Sequence, residues 1–354
     1  MANYQLKTLL LLIIFFIKVN YIYAQFENSE HYQIYAINLP EKINFAGEAT
    51  PLNELNIRER LDQELLINTY WQSKTILLIK RAEKYFPIIE KILKEKNIPD
   101  DFKYLAVAES GLENVTSPSG AKGFWQFLKK TGLEYGLEIN SEIDERYHLE
   151  KSTKAACQYI EDAYLQFGNW TLAAASYNMG KYGLKKSLEL QKVNSYYDLM
   201  LNNETYRYVF RILAIKEIIE NSEKYGFQIN TNDYYQLPAL KEITIDTTIN
   251  NIAEFSIDLN LNYKITKELN PWILGNVISN TEQKTYKIKI PNKDYAYLSR
   301  TDTIIYICQS KDNLFEIART YNIKIEDLLS WNQLLPSKKL KKNQEIIILK
   351  QYEH

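Results

Sequence analysis

The chain has 354 residues, with 43 Lys and Arg against 44 Asp and Glu for a net charge of −1. This balance excludes general electrostatic capture of nucleic acid or anionic membrane, so any polymer partner is expected to be weakly charged and not a nucleic acid. At 45% hydrophobic residues the length suits two or three globular domains. The three histidines and two cysteines show no metal-ligand spacing, so neither a metal site nor a cofactor is expected.

In chain order, Lys7, the apolar run Leu9 to Ile17 and a small residue at Ala24 read as a secretory signal peptide over 1–24, cut after Ala24. No cysteine follows the run, so no lipid-anchor signal is present, and the expected address is the periplasm or cell envelope. Residues 25–68 form an amino-terminal extension whose first part, with Pro40 and Pro51, reads as a loose lead-in. A helical pattern runs from there to about 225. The segment TILLIKRAEKYFPIIEKILKEKNIP gives amphipathic stretches expected to break at Pro87 and end at Pro99. Further helices follow in LEKSTKAACQYIEDAYLQFG, NWTLAAASYN with an exit at Gly180, and ETYRYVFRILAIKEIIENSEKYG.

The most telling helix begins at Phe102. Phe102, Leu105, Ala106 and Glu109 fall at i, i+3, i+4 and i+7, which puts a carboxylate on an apolar face. Desolvation there should raise its pKa and suit it to general acid work near neutral pH.

After Phe227 the texture changes to short β-branched runs alternating with single short helices. Residues 240–291 and 303–350 form a weak repeat offset by 62 residues, pairing Glu254 with Glu316, Asn260 with Asn322 and Asn270 with Asn332. Each copy reads strand, helix, helix, strand. The fold class is therefore multidomain, an all-α domain followed by small α+β (βααβ) modules. Cys157 and Cys308 fall in separate domains and are expected to be buried free thiols.

Four motifs occur in fixed order in the helical domain: Glu109-Ser110, GAKGFWQ at 120–126, Ser176-Tyr177-Asn178, and ETYRYV at 204–209. Their order and spacing resemble the soluble lytic transglycosylase family from Thr69 to Gly226, and the flanking phrases look most like its membrane-bound D branch. The resemblance implies a goose-lysozyme-like fold that cleaves peptidoglycan glycan strands. It implies Glu109 as the single acid/base, with Ser110, Ser117, Gly123, Trp125, Gln126, Tyr177, Asn178 and Tyr208 at the substrate, Trp125 standing where the family usually has methionine. The 303–350 copy resembles a lysin-motif domain, implying glycan contacts from Asp312, Asn313, Leu314 and Asn332. The 240–291 copy is more degenerate and reads as a spacer.

The implied reaction is non-hydrolytic scission of the β-1,4 bond between N-acetylmuramic acid and N-acetylglucosamine, leaving 1,6-anhydro ends. A hydrolytic muramidase would need a second acid, for which Glu113, Asp144 and Glu145 are the candidates. An inactive peptidoglycan-binding scaffold would have no use for the acid.

Overall fold

The computed structural model describes residues 34–292, 301–310, 312–336 and 339–351; the signal-peptide segment 1–24 lies outside them. The helical domain holds eight α-helices among the described residues: α1 (Leu55–Tyr70), α2 (Gln72–Glu95), α3 (Phe102–Ser110), α4 (Lys129–Glu134), α5 (Leu149–Phe167), α6 (Trp170–Met179), α7 (Lys181–Gln191) and α8 (Asn203–Glu220). Its centre is α6. Leu172, Ala173, Ala174 and Ala175 are all buried, because α5, α7 and α8 close on it from several sides and only small side chains fit. Asn169 caps the helix, its Oδ1 accepting from Leu172 N at 2.8 Å.

Two expectations fail here. Pro87 does not break α2, which runs through it. The ring removes a hydrogen bond to the Glu83 carbonyl, and both residues are exposed, so water can satisfy that oxygen. The stretch read as a loose lead-in also packs into the core. Its hairpin, β1 (Asn44–Phe45) with β2 (Glu48–Ala49), buries Phe45 edge-on against Phe102, with ring centroids 5.0 Å apart. Glu48 accepts from Trp170 N, Thr171 N and Thr171 Oγ1, so a carboxylate sits at the positive end of α6. Helix α1 then lays Ile57, Leu61 and Leu65, all fully buried, against α8.

Both carboxyl-terminal copies show the expected βααβ order. The first is β3 (Leu240–Ile245), α9 (Ile252–Asp258), α10 (Tyr263–Leu269) and β4 (Tyr286–Pro291), with β3 and β4 antiparallel and Ile243 opposite Ile288. The second is β5 (Thr301–Ile307), α11 (Leu314–Thr320), α12 (Ile325–Asn332) and β6 (Glu345–Gln351), paired with Ile304 opposite Ile348. The repeat is visible in atomic detail. Asn260 and Asn322 both adopt left-handed backbone conformations, φ 57° and 52°. Asn270 donates to Thr266 O and Lys289 O and accepts from Lys289 N; Asn332 does the same with Leu328 O, Ile347 O and Ile347 N. Each asparagine thus ties its second helix to its last strand. Cys157 and Cys308 are buried free thiols, and burial pushes Cys157 up to about 12.

The first module is not a free spacer. The 138–150 segment of the helical domain enters its core, with Ile143 and Tyr147 packed among Ile249, Ile252, Trp272 and Ile278. Glu142 O accepts from Leu274 N (2.7 Å) and Gly275 N (3.1 Å), while its carboxylate accepts from Ser279 N and Oγ. Asp144 N donates to Trp272 O at 2.9 Å, the Trp272 ring stacks on His148, and Lys289 pairs with Glu150.

Candidate active site

Helix α3 buries Phe102, Leu105 and Ala106, so Glu109 projects from the same face at the last turn, where it is half-buried in a cleft wall. The helix stops there because Gly111 and Leu112 both take left-handed conformations, φ 63° and 58°. Ser110 holds this turn to the motif loop. Its Oγ lies 2.8 Å from Phe124 O and 3.2 Å from Ala106 O, and accepts from Leu112 N.

Tyr208, on α8, donates its hydroxyl to Glu109 Oε1. Burial raises the Glu109 pKa to about 7, opposed by the Tyr208 hydrogen bond and the Arg211 charge and assisted by Glu204. Across the motif loop, the Tyr177 hydroxyl donates to Trp125 O at 2.8 Å, and Asn178 follows it, half-buried, at the end of α6. Gln126 takes φ 47° and donates to Val115 O and Gly123 O. Ser117 closes the adjoining turn, accepting from Ala121 N at 3.0 Å. The structure thus links Glu109, Ser110, Trp125, Gln126, Tyr177 and Tyr208 through one set of hydrogen-bonded loops.

Their work is not always the expected work. Trp125 was expected at the substrate, but its side chain is fully buried and its indole donates to Thr153 Oγ1 at 2.9 Å. Only its carbonyl serves the site, by holding Tyr177. Gly123 was expected to allow approach of a polymer; instead it allows approach of backbone. A Cβ there would lie 1.9 Å from Arg146 O, at φ 78°. Tyr208 is buried and acts on the acid. In the last module Leu314 belongs to the core, Asn332 is the strand tie, and Asn313 caps α11 by accepting from Glu316 N. Asp312 accepts from Tyr306 Oη and Gln309 N, which fixes the loop before α11.

The cleft beside Glu109 encloses about 670 Å³. Its walls include residues outside the expected set: Trp71, 56% exposed, with Lys74 and Arg81 of α2 and Arg207 and Arg211 of α8. Glu64 also lines it, buried and paired with Arg207. A signal was present, since Glu64 shares a helical face with Ile57, Leu61 and Leu65. The three candidate second acids are all engaged. Glu113 pairs with Arg81; Asp144 lies 2.7 Å from Arg146 Nη2 and 3.4 Å from Lys122 Nζ; Glu145 pairs with Lys151 and accepts from Glu138 N. Burial would raise Asp144, but its hydrogen bonds and charge contacts with Arg146 outweigh that and lower it. No group of three or more His, Cys, Asp or Glu able to hold a metal occurs among the described residues.

Residues 86–199 match the model of the transglycosylase SLT domain. Residues 241–294 match the soluble lytic transglycosylase C-terminal LysM-like domain, and 306–349 the LysM domain. This is a transglycosylase SLT domain followed by two LysM-type modules. The transglycosylase domain match spans α3, the motif loop and α6, while the helices that complete the cleft, α1 and α8, lie outside it. The chain is 26% identical to the membrane-bound lytic murein transglycosylase D of Escherichia coli (strain K12) over 318 residues, covering 82% of this chain and 68% of the relative. The protein of that name from Escherichia coli O6:H1 matches equally. A putative tributyltin chloride resistance protein of Alteromonas sp. (strain M-1) is 28% identical over 103 residues, 28% of this chain and 50% of that protein.

Proposed function

We propose that the Glu109 cleft cleaves the β-1,4 bond between N-acetylmuramic acid and N-acetylglucosamine in peptidoglycan without adding water. The observation that carries this reading is a single raised carboxyl group in the cleft while the neighbouring carboxylates are neutralised by cations. With a pKa of about 7, Glu109 is substantially protonated at neutral pH and can give its proton to the glycosidic oxygen as that bond breaks. As carboxylate it then takes the proton of the muramic C6 hydroxyl while that oxygen closes on C1. The attack is intramolecular, so a positioned hydroxyl replaces an activated water and no second acid is required. Tyr208 steadies the carboxylate between the two steps. Gln126, Tyr177, Asn178, Ser110 and Ser117 border the sugars, Trp125 and Gly123 shaping the loop that carries them.

On this reading residues 1–24 direct export and are removed, residues 69–226 together with the hairpin and α1 packed against them hold the catalytic unit, and 303–350 anchor the enzyme on glycan in the cell envelope through the loop at Asp312 and Asn313. The membrane-bound relatives and the LysM match support this placement.

The product decides the matter. Digestion of peptidoglycan should release fragments ending in 1,6-anhydro-muramic acid, about 18 mass units lighter than hydrolytic products. In heavy-oxygen water the new ends should carry no label. Labelled reducing ends would establish a muramidase instead.

A further inference from the structure

Three hollows run in series along α2. The acid's cleft shares Arg81 and Glu113 with a second hollow of about 380 Å³, which shares Lys84, Tyr85, Asn114 and Phe124 with a third of about 310 Å³. The far wall of the third belongs to the first LysM-type module and the segment leading to it, including Leu237, Trp272 and Lys289. Ser73 apart, the α2 residues lining the series, Lys74, Leu77, Leu78, Arg81, Lys84, Tyr85 and Ile88, follow the three- and four-residue spacing of one helix face. At 1.5 Å per residue, Lys74 to Ile88 spans about 21 Å, and about 10 Å of that lies beyond Arg81.

We infer that these hollows form one groove for a glycan strand, in which the docked 240–291 module supplies a distal saccharide subsite. The inference rests on the function proposed above and extends it to a surface outside the catalytic domain. Two observations favour sugar over the acidic stem peptide. Arg81 and Lys289 are already neutralised by Glu113 and Glu150, so neither offers a free charge to a carboxylate. Lys84 lies over the Tyr85 ring at 5.0 Å, and the rest of the lining offers aromatic and amide groups: Tyr85 held edge-on against Phe124, Tyr235 39% exposed with Lys80 over one ring face, and the side chains of Asn114 and Gln236. Rings and amides of this kind suit a neutral, hydroxyl-rich chain. The module's firm seat on Glu142 and Ile143 keeps the far wall in place without substrate.

The test uses the full chain with long glycan strands, peptide-free and peptide-bearing, and a peptide-free tetrasaccharide. Tyr235→Ala removes an exposed ring, and Leu237→Trp fills the third hollow from its exposed rim. For both variants the ratio of kcat/KM on long strands to kcat/KM on the tetrasaccharide should fall by about threefold to tenfold, the effect of losing one aromatic contact. An unchanged ratio in both variants overturns the inference. So does a change seen only with peptide-bearing strands, which would make the stem peptide the occupant. A wild-type chain that cleaves neither substrate would instead overturn the activity on which the inference rests.

Discussion

Replacing Glu109 by glutamine should make the protein more stable while removing its activity. The carboxyl group is raised from its usual 4.5 to about 7, chiefly by burial. Between those values the folded state binds more protons than the unfolded state, so stability falls as pH rises from about 4.5 to about 7. Above pH 7 the whole cost persists. The rise from 4.5 to about 7 corresponds to about 3 kcal/mol, and water at the cleft mouth trims this to about 2 kcal/mol. Glutamine carries no charge to desolvate and keeps an oxygen for the Tyr208 hydroxyl. For a domain of this size, about 2 kcal/mol raises Tm by about 4–8 °C. Thermal melts of both proteins from pH 4 to 9 should therefore diverge with rising pH and converge below about 4.5. Peptidoglycan turnover should drop at least about a hundredfold. Equal melting temperatures at pH 8, or a gap that widens on acidification, would refute the reasoning.

Tyr208→Phe removes a hydroxyl that lowers the Glu109 pKa, so the alkaline limb of the pH–rate profile should move above its wild-type position near 7 as the rate falls; a limb shifted downward contradicts this. Gly123→Ala places a Cβ 1.9 Å from the Arg146 carbonyl, backbone against backbone, and should cost at least about 3 kcal/mol in urea unfolding. Asn270→Ala and Asn332→Ala each cut a helix from its last strand. Hydrogen exchange at the Lys289 and Ile347 amides, respectively, should speed by the factor that about 1–3 kcal/mol represents.

Much of the site was legible because helical periodicity exposes an acid among apolar residues. Phe102, Leu105 and Ala106 are fully buried and bring Glu109 to the cleft. The same rule, applied to α1, finds Glu64. Hydrophobic pattern could not distinguish a ring that faces a sugar from one that faces the core, and Trp125 belongs to the second kind because its backbone is anchored between Gly123 and Gln126, both at positive φ. The hairpin at 44–49 was invisible, since strands of two residues carry no period. Docking of the first module was also hidden. It depends on Ile143 and Tyr147 set singly among polar neighbours, on side-chain contacts of Glu142, His148 and Glu150 that read as surface charge, and on backbone groups of Glu142 and Asp144, which every residue type possesses.

Arg146 joins two parts of the molecule that sequence would treat as separate. Its carbonyl stands against Gly123, and its guanidinium reaches the carbonyls of Gly120 and Phe127, bracing both ends of the motif loop. The same guanidinium grips Asp144, whose backbone amide is bonded to Trp272 of the following module. The loop that frames the acid and the module downstream therefore share one keystone. Cutting the chain after residue 226 would bare Ile143 and release Asp144 from Trp272, withdrawing support from beneath the cleft itself. A truncation meant to keep the cleft braced would therefore retain residues to the end of β4, and exchanging the first module for another would have to preserve the surface that meets residues 138–150.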